Sequence, residues 1–353
     1  MSRTPSRRGT GHERSYRLVH RTSYTYRAAV TTSYGLAMLL PREWSGQRVH
    51  QASLTFLPGA AETAEHRDLH GNRVSYFQIT AEHTSLDVVA SSVVTITRRP
   101  LDLANTVQVP WERAVASVSG MRATGQGEQG EGPTAVLAVV ESALPSELVL
   151  PDEAVREYAM PSFGPTTALV RVVAELAGRI HRDVPEAPIG DGSAGAGNGL
   201  AGDGGGSATP SHVLARRFGS SADRAHLLVA SLRSMGLAAR YVAGYVARGV
   251  DVGGADGPHD RADGPHDRAD GHHDGPDAAT GGCVRSWAAV WLPGGGWVHV
   301  DPTGARFIDN RYIVLGWGRD QADVQPLRGV VYGGDAGSPA EELELEVVPS
   351  PAS

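Results

Sequence analysis

Apolar and polar positions alternate from Tyr16 onward. Tyr16, Leu18 and His20 fall on one side of an extended chain and Arg17, Val19 and Arg21 on the other; residues 22–26 continue with aromatic and β-branched side chains. Strand-like runs recur at 49–57, 74–80 and 86–97, separated by turn residues at 58–59 and 68–72. Short strands punctuated in this way predict an all-β domain over residues 15–100. Residues 101–165 form a connecting stretch of helical and loop character. The period then changes: Leu169, Val172, Val173, Leu176 and Ile180 stand at i, i+3, i+4, i+7 and i+11, one apolar face of a helix beginning near Thr166.

Thr209 and Pro210 read as an N-cap with proline at the first helical position, and Gly219 as the stop of that short helix. A second helix is predicted from Ser221–Asp223, with Leu228, Leu232 and Met235 on one face and Gly236 as its end. Residues 240–246 read as a strand. Residues 284–292 and 297–300 form a hairpin across Pro293-Gly294-Gly295-Gly296. Two low-complexity insertions, 190–208 and 251–281, interrupt the region 166–332; residues 1–14 and 333–353 read as a disordered tail and an acidic tail. The predicted class is α+β: an N-terminal all-β, sandwich-like domain, then helices packed on an antiparallel sheet.

Composition narrows the function. The 353 residues include 32 basic side chains, all arginine, and the formal net charge is -7. Neither a basic stripe nor a nucleic-acid motif is present, so no nucleic-acid partner is expected. No apolar run is long enough to span a membrane, and residues 1–15 lack an apolar core, so a cytoplasmic protein is expected. Cys283 is the single cysteine, which excludes an intrachain disulfide and any multi-cysteine metal site. The heptapeptide Gly257–Asp263 repeats at Gly264–Asp270, and a degenerate copy extends to Asp277. Its histidines and aspartates suggest zinc or nickel, but the Gly-Pro steps place them on no fixed element, and expansion of a repeat explains the tract without a ligand. No cofactor and no metal site is assigned.

Four segments carry a resemblance to the bacterial transglutaminase-like family of the papain-like thiol acyl-transfer superfamily. Gly219-Ser220-Ser221-Ala222-Asp223-Arg224-Ala225-His226-Leu227 is similar to its Gly-x-Cys-x-Asp-x-Ala-His-Leu helix start. Leu237-Ala238-Ala239-Arg240-Tyr241-Val242-Ala243-Gly244-Tyr245 resembles its Ala-Arg-Tyr-Val-x-Gly-Tyr strand. Residues 285–293 resemble its His-Ala-Trp-x-Glu strand, and Gly296-Trp297-Val298-His299-Val300-Asp301-Pro302-Thr303 its Gly-Trp-x-x-x-Asp-Pro-Thr strand. Residues 16–97 resemble the β-domain that often precedes this core. The resemblance implies a papain-like transglutaminase core whose triad positions fall on Ser221, Arg285 and Asp301. In the family these hold a cysteine, a histidine and an acid that together attack a glutamine or peptide carbonyl; here only the acid matches.

Those differences bear directly on chemistry. A helix N-terminus lowers a thiol pKa into the useful range, whereas a serine hydroxyl stays protonated unless a base takes its proton. Arginine remains protonated and offers no acceptor. The expected role is therefore non-catalytic, binding a peptide, a protein partner or an active paralogue. An amidase, peptidase or acyltransferase using Ser221 or Cys283 with an unidentified base is the alternative. His226 reads as a structural helix residue. His299 shares a strand face with Asp301, and an Arg285–Asp301 hydrogen-bonded ion pair is expected where the family holds its dyad.

Overall fold

The computed structural model describes residues 13–127, 132–150, 152–186, 208–248, 281–334 and 340–351. The insertions at 190–207 and 251–280, with the His/Asp repeat, and the tail 1–12 lie outside these described residues.

The first sheet grows around one 24-residue strand, β1 (Arg14–Ala37). With β2 (Gln47–Leu57), β3 (Glu62–Arg67), β4 (Arg73–Ile79) and β5 (His83–Ile96) it forms the order β2-β5-β1-β4-β3. β1 is long enough to serve two sets of neighbours. Its first half pairs with β5 and its last residues with β4. The two parts fold over one apolar filling of Tyr24, Tyr26, Val30, Phe77, Ile79 and Val88. Phe56 of β2 stacks on Phe77 of β4 with ring centroids 4.5 Å apart, which gives the sandwich-like character. β3 has no signature in the sequence: all six of its residues are exposed, leaving no alternation to detect.

Six α-helices follow among the described residues: α1 (Trp111–Thr124), α2 (Pro133–Glu141), α3 (Glu153–Ala159), α4 (Leu169–Asp183), α5 (Pro210–Arg216) and α6 (Ser221–Ser234). A five-stranded antiparallel sheet is built from β6 (Ala239–Ala247), β7 (Gly282–Leu292), β8 (Gly296–Asp301), β9 (Arg306–Phe307) and β10 (Tyr312–Gly318), in the order β10-β6-β7-β8-β9. On one face of that sheet Ala239, Ala288, Val290 and Val300 meet Val172, Val173, Leu176 and Ile180 of α4 and Leu227, Leu228 and Leu232 of α6. α4 is the amphipathic helix its spacing predicts. α6 is not: every residue from Ala222 to Leu232 is buried, so it runs through the centre and its polar residues need internal partners. At Gly244 a Cβ would lie 2.1 Å from the Ile313 carbonyl oxygen of β10, so the close β6–β10 approach requires glycine.

The C-terminal region, expected as an acidic tail over 333–353, contains a strand. β11 (Leu327–Gly333) and β12 (Ala340–Val348) both return to pair antiparallel with β1. Leu343, Leu345 and Val347 alternate with glutamates, and Leu345 is buried against Tyr16, Leu18 and Tyr245. The period-2 signal of a strand is present in this segment, but its dense negative charge masks it. The N-terminal sheet is thus completed by the chain's other end.

The two sheets are joined through backbone groups at the edge strand β10. Gln47 donates from Nε2 to the Val314 carbonyl at 2.7 Å and accepts the Val314 N–H at 2.8 Å. Asn72 does the same for Trp317, at 2.8 and 3.0 Å. Two side-chain amides therefore satisfy groups that an exposed edge would leave to solvent or to another strand. No helix among the described residues is long and apolar enough to cross a membrane.

Candidate functional site

The start of α6 is fixed by a capping box. Ser220 Oγ accepts the Asp223 N–H at 3.2 Å, and Asp223 Oδ2 accepts the Ser220 N–H at 2.9 Å. Arg216 Nη2 donates to the same carboxylate oxygen at 2.6 Å, tying α5 to α6. Gly219 does not stop α5, as its sequence position suggested; Arg217 does so in a left-handed conformation with φ 58°. Gly219 instead permits close approach, since a Cβ there would sit 2.9 Å from Asp223 Cβ.

This geometry sets Ser221 as the first helical residue, facing β7. Its Oγ accepts the Ser286 backbone N–H at 3.3 Å. Ser286 is held in turn by the Tyr241 hydroxyl, which donates to its Oγ at 2.6 Å. Among the described residues no imidazole lies within hydrogen-bonding distance of Ser221 Oγ. The hydroxyl sits where a helix end would stabilise an anion, yet nothing there takes its proton.

Arg285 of β7 and Asp301 at the end of β8 come together, with Arg285 Nη1 3.6 Å from Asp301 Oδ2. That is an ion pair and too long for the hydrogen bond expected from the sequence. The reason is competition: Thr303 N–H donates to Oδ1 at 2.7 Å and the Tyr312 hydroxyl to Oδ2 at 2.8 Å. Asp301 is wholly buried, and its strongest bonds are to neutral donors. Tyr312 was missed by sequence reasoning, since it lies eleven residues on and reaches Asp301 only through β10. Arg224, one helical turn after Ser221, was also missed. It is 2 % exposed, and its Nε has no hydrogen-bond partner among the described residues. Burial pulls its pKa below the ordinary arginine range; Glu186 and Asp301 oppose that pull and Arg285 adds to it. Arg285 is thus the guanidinium in ion-pair contact with the buried carboxylate, and Arg224 acts on it at longer range.

The histidines have other duties. His226 is fully buried; its Nε2 accepts the Gln321 N–H at 3.1 Å, and its ring lies 4.7 Å from that of Tyr241. Burial lowers its pKa to about 4. His299 Nδ1 accepts the Trp287 indole N–H at 3.1 Å, so its lone pair is turned away from Asp301. Cys283 is half-buried on β7, with Sγ 4.0 Å from the Val246 carbonyl oxygen. No group of three or more His, Cys, Asp or Glu side chains with metal-holding geometry occurs among the described residues.

The neutral burial of His226 fixes a sign for the pH dependence of stability. Its folded pKa of about 4 lies below the unfolded 6.5, so unfolding takes up a proton between those values. The contribution is complete above about 6.5 and is lost as pH falls toward 4, at roughly 3 kcal/mol over the full window. His20, also lowered to about 4 by burial, acts in the same sense. Urea titrations at pH 7.5 and pH 4.5 should show His226→Gln losing less stability on acidification than the parent, by about that amount; equal losses would assign the acid sensitivity elsewhere.

Residues 16–95 match the bacterial transglutaminase-like N-terminal region, and residues 197–302 match the transglutaminase-like superfamily. An uncharacterized protein of Mycobacterium tuberculosis is 36% identical over 346 residues, covering 95% of this chain and 92% of its own. One from Mycobacterium leprae is 28% identical over 320 residues, covering 90% and 93%. Among solved structures, a protein of Cytophaga hutchinsonii described as a candidate cysteine protease superposes with a TM-score of 0.63 at 15% identity, over 97% of this chain and 93% of that one. At that identity the likeness is one of fold.

Proposed function

The chain belongs to the transglutaminase-like superfamily, and we propose that it is a non-catalytic member that uses the polar groups at the start of α6 to bind a peptide segment of a partner protein. The observation that carries this reading is the environment of Ser221. Its oxygen receives a backbone N–H, and the strand position beside it holds Arg285, already ion-paired to Asp301. Acyl transfer needs a nucleophile that can lose a proton and a base that can take it. Serine next to two arginines supplies neither at neutral pH. The same groups suit recognition: backbone N–H groups at a helix end and guanidinium forks bind carboxylates and carbonyl oxygens. The cytoplasm is the proposed location.

Activity-based labelling tests this. The folded protein should take up neither a serine-directed fluorophosphonate nor, at Ser221, any acylating probe. Fluorophosphonate labelling that disappears in Ser221→Ala would instead establish a serine hydrolase with an unrecognised base. Labelling confined to Cys283 would move the nucleophile to β7.

A further inference from the structure

On the sheet face away from α6, alternation along β6 and β8 puts Arg240 in line with Val242 and His299 in line with Trp297. The register sets Arg240, Ala289 and His299 in one row across β6, β7 and β8, so a single methyl group separates a guanidinium from an imidazole. β10 adds Trp317, opposite Val242. The N-terminal half adds Arg42, Trp44 and Arg98.

These side chains form two connected stacks. Arg42 lies 3.2 Å from the centre of the Trp317 ring and Arg240 3.8 Å from the same centre; two guanidinium groups so close cannot share a ring face, so they sandwich the indole. Arg240 also lies 4.0 Å from the Trp297 ring. Beside them Arg98 covers Trp44 at 4.4 Å, and Trp44 packs on His299 with centroids 4.8 Å apart. Arg42 and Arg240 are 7 % and 6 % exposed.

Buried arginines normally have carboxylate partners. Among the described residues Arg42, Arg98 and Arg240 have none within ion-pair distance. Arg42 donates from Nη1 to the His70 carbonyl and to Asn72, and Arg98 donates from Nη1 to the carbonyls of Asp309 and Tyr312. Arg240 lies over two indole rings, those of Trp297 and Trp317. Five buried nitrogens of this cluster lack a partner: Arg42 Nε, Arg98 Nη2, Arg240 Nε, Trp44 Nε1 and His299 Nε2. His299 accepts at Nδ1, and its pKa is driven down by burial and then by the three arginines, so its neutral ring carries the proton on Nε2. All five are donors. Indole faces offset part of the cost of three confined cations, but they accept no N–H bond in the plane of the guanidinium.

We propose that this cluster is a binding site for a small oxyanion, a phosphate or a carboxylate group, which supplies the missing negative charge and acceptors. Trp44, Trp297, Trp317 and Arg98 are partly exposed and form the rim by which it enters. The site is independent of Ser221 and of the proposed partner role.

The test is calorimetric titration of the intact protein with inorganic phosphate and, separately, with acetate, at constant ionic strength in chloride. Thermal unfolding and tryptophan fluorescence are followed in the same buffers. Saturable binding of either anion is expected, with a matching rise in melting temperature and a change in indole emission. Binding of phosphate but not acetate would identify the ligand as a phosphate, and the converse a carboxylate. Arg240→Gln should weaken binding at least about tenfold. Should that variant not fold, Arg98→Gln serves, because it leaves the sandwich around Trp317 in place. Arg171→Gln, an exposed change on α4, should bind as the parent does. No saturable binding of either anion, or equal affinity in both cluster variants, would overturn the proposal and leave the cluster a structural stack.

Discussion

A Ser221→Cys, Arg285→His double variant, made in a C283S background, should hydrolyse an activated ester on the order of a hundredfold faster than either single change. The basis is the placement of Ser221 at the first turn of α6 and of Arg285 beside Asp301. Ser221→Cys alone introduces a thiol that the helix end and the nearby cations of Arg224 and Arg285 keep ionised. It should therefore alkylate readily, yet turn over slowly, because no group delivers a proton to the leaving atom or activates water for the second step. Arg285→His alone adds a base without a competent nucleophile. Together they supply both, and a positioned general base is worth about 10²–10⁴ in rate. Asp301, already oriented by Tyr312 and Thr303, would set the imidazole. Ester hydrolysis no faster than in the singles, in a variant that alkylates and folds normally, would mean that the strands no longer hold the family geometry. Efficient turnover by Ser221→Cys alone would reveal a base that the proposed function denies.

The second large effect is on stability. Asp301→Ala should cost about 3–5 kcal/mol in urea unfolding, the range for removing one partner of a buried charge pair. Three groups lose their acceptor at once: the Arg285 guanidinium, the Tyr312 hydroxyl and the Thr303 N–H. Arg285 is 15% exposed and can recover some hydration, which places the result toward the lower end. Adding Arg285→Met should restore part of the loss, since it removes the uncompensated cation and leaves only neutral donors unsatisfied. The non-additivity, read in a double-mutant cycle, measures the ion pair itself. A loss under about 1 kcal/mol for Asp301→Ala would show that the carboxylate is not the anchor its burial implies.

Both predictions rest on positions that are legible in the amino-acid sequence itself. The alternation from Tyr16, the helical spacing from Leu169 and the order of four motifs are enough to set an α+β class. They place Ser221 at a helix start and put Arg285 and Asp301 on neighbouring strands. Local signals succeed there because helix and strand periods are imposed by the backbone, and a cap such as Ser220 with Asp223 is written within four residues. Other features have no local signature. β12 carries its alternation among glutamates, and only the open edge of β1 shows what it pairs with. The meeting of Tyr312 with Asp301 depends on the register of β10, which turns the expected Arg285–Asp301 hydrogen bond into a longer ion pair. His299 shares a face with Asp301, as alternation requires, yet its nitrogen is taken by Trp287.

The arginine–tryptophan stacks joining Arg42, Arg98 and Arg240 are invisible in the sequence for the same reason. Their members are drawn from residues 42 to 317, from connections flanking the first sheet and from strands of the second. The sequence alone determined the strongly periodic elements, the family core and which residues stand at its three motif positions. The tertiary structure decided which donor reaches which acceptor, because a side chain's partners are set by long-range packing and strand register, and neither is encoded within the few residues over which a periodicity can be read.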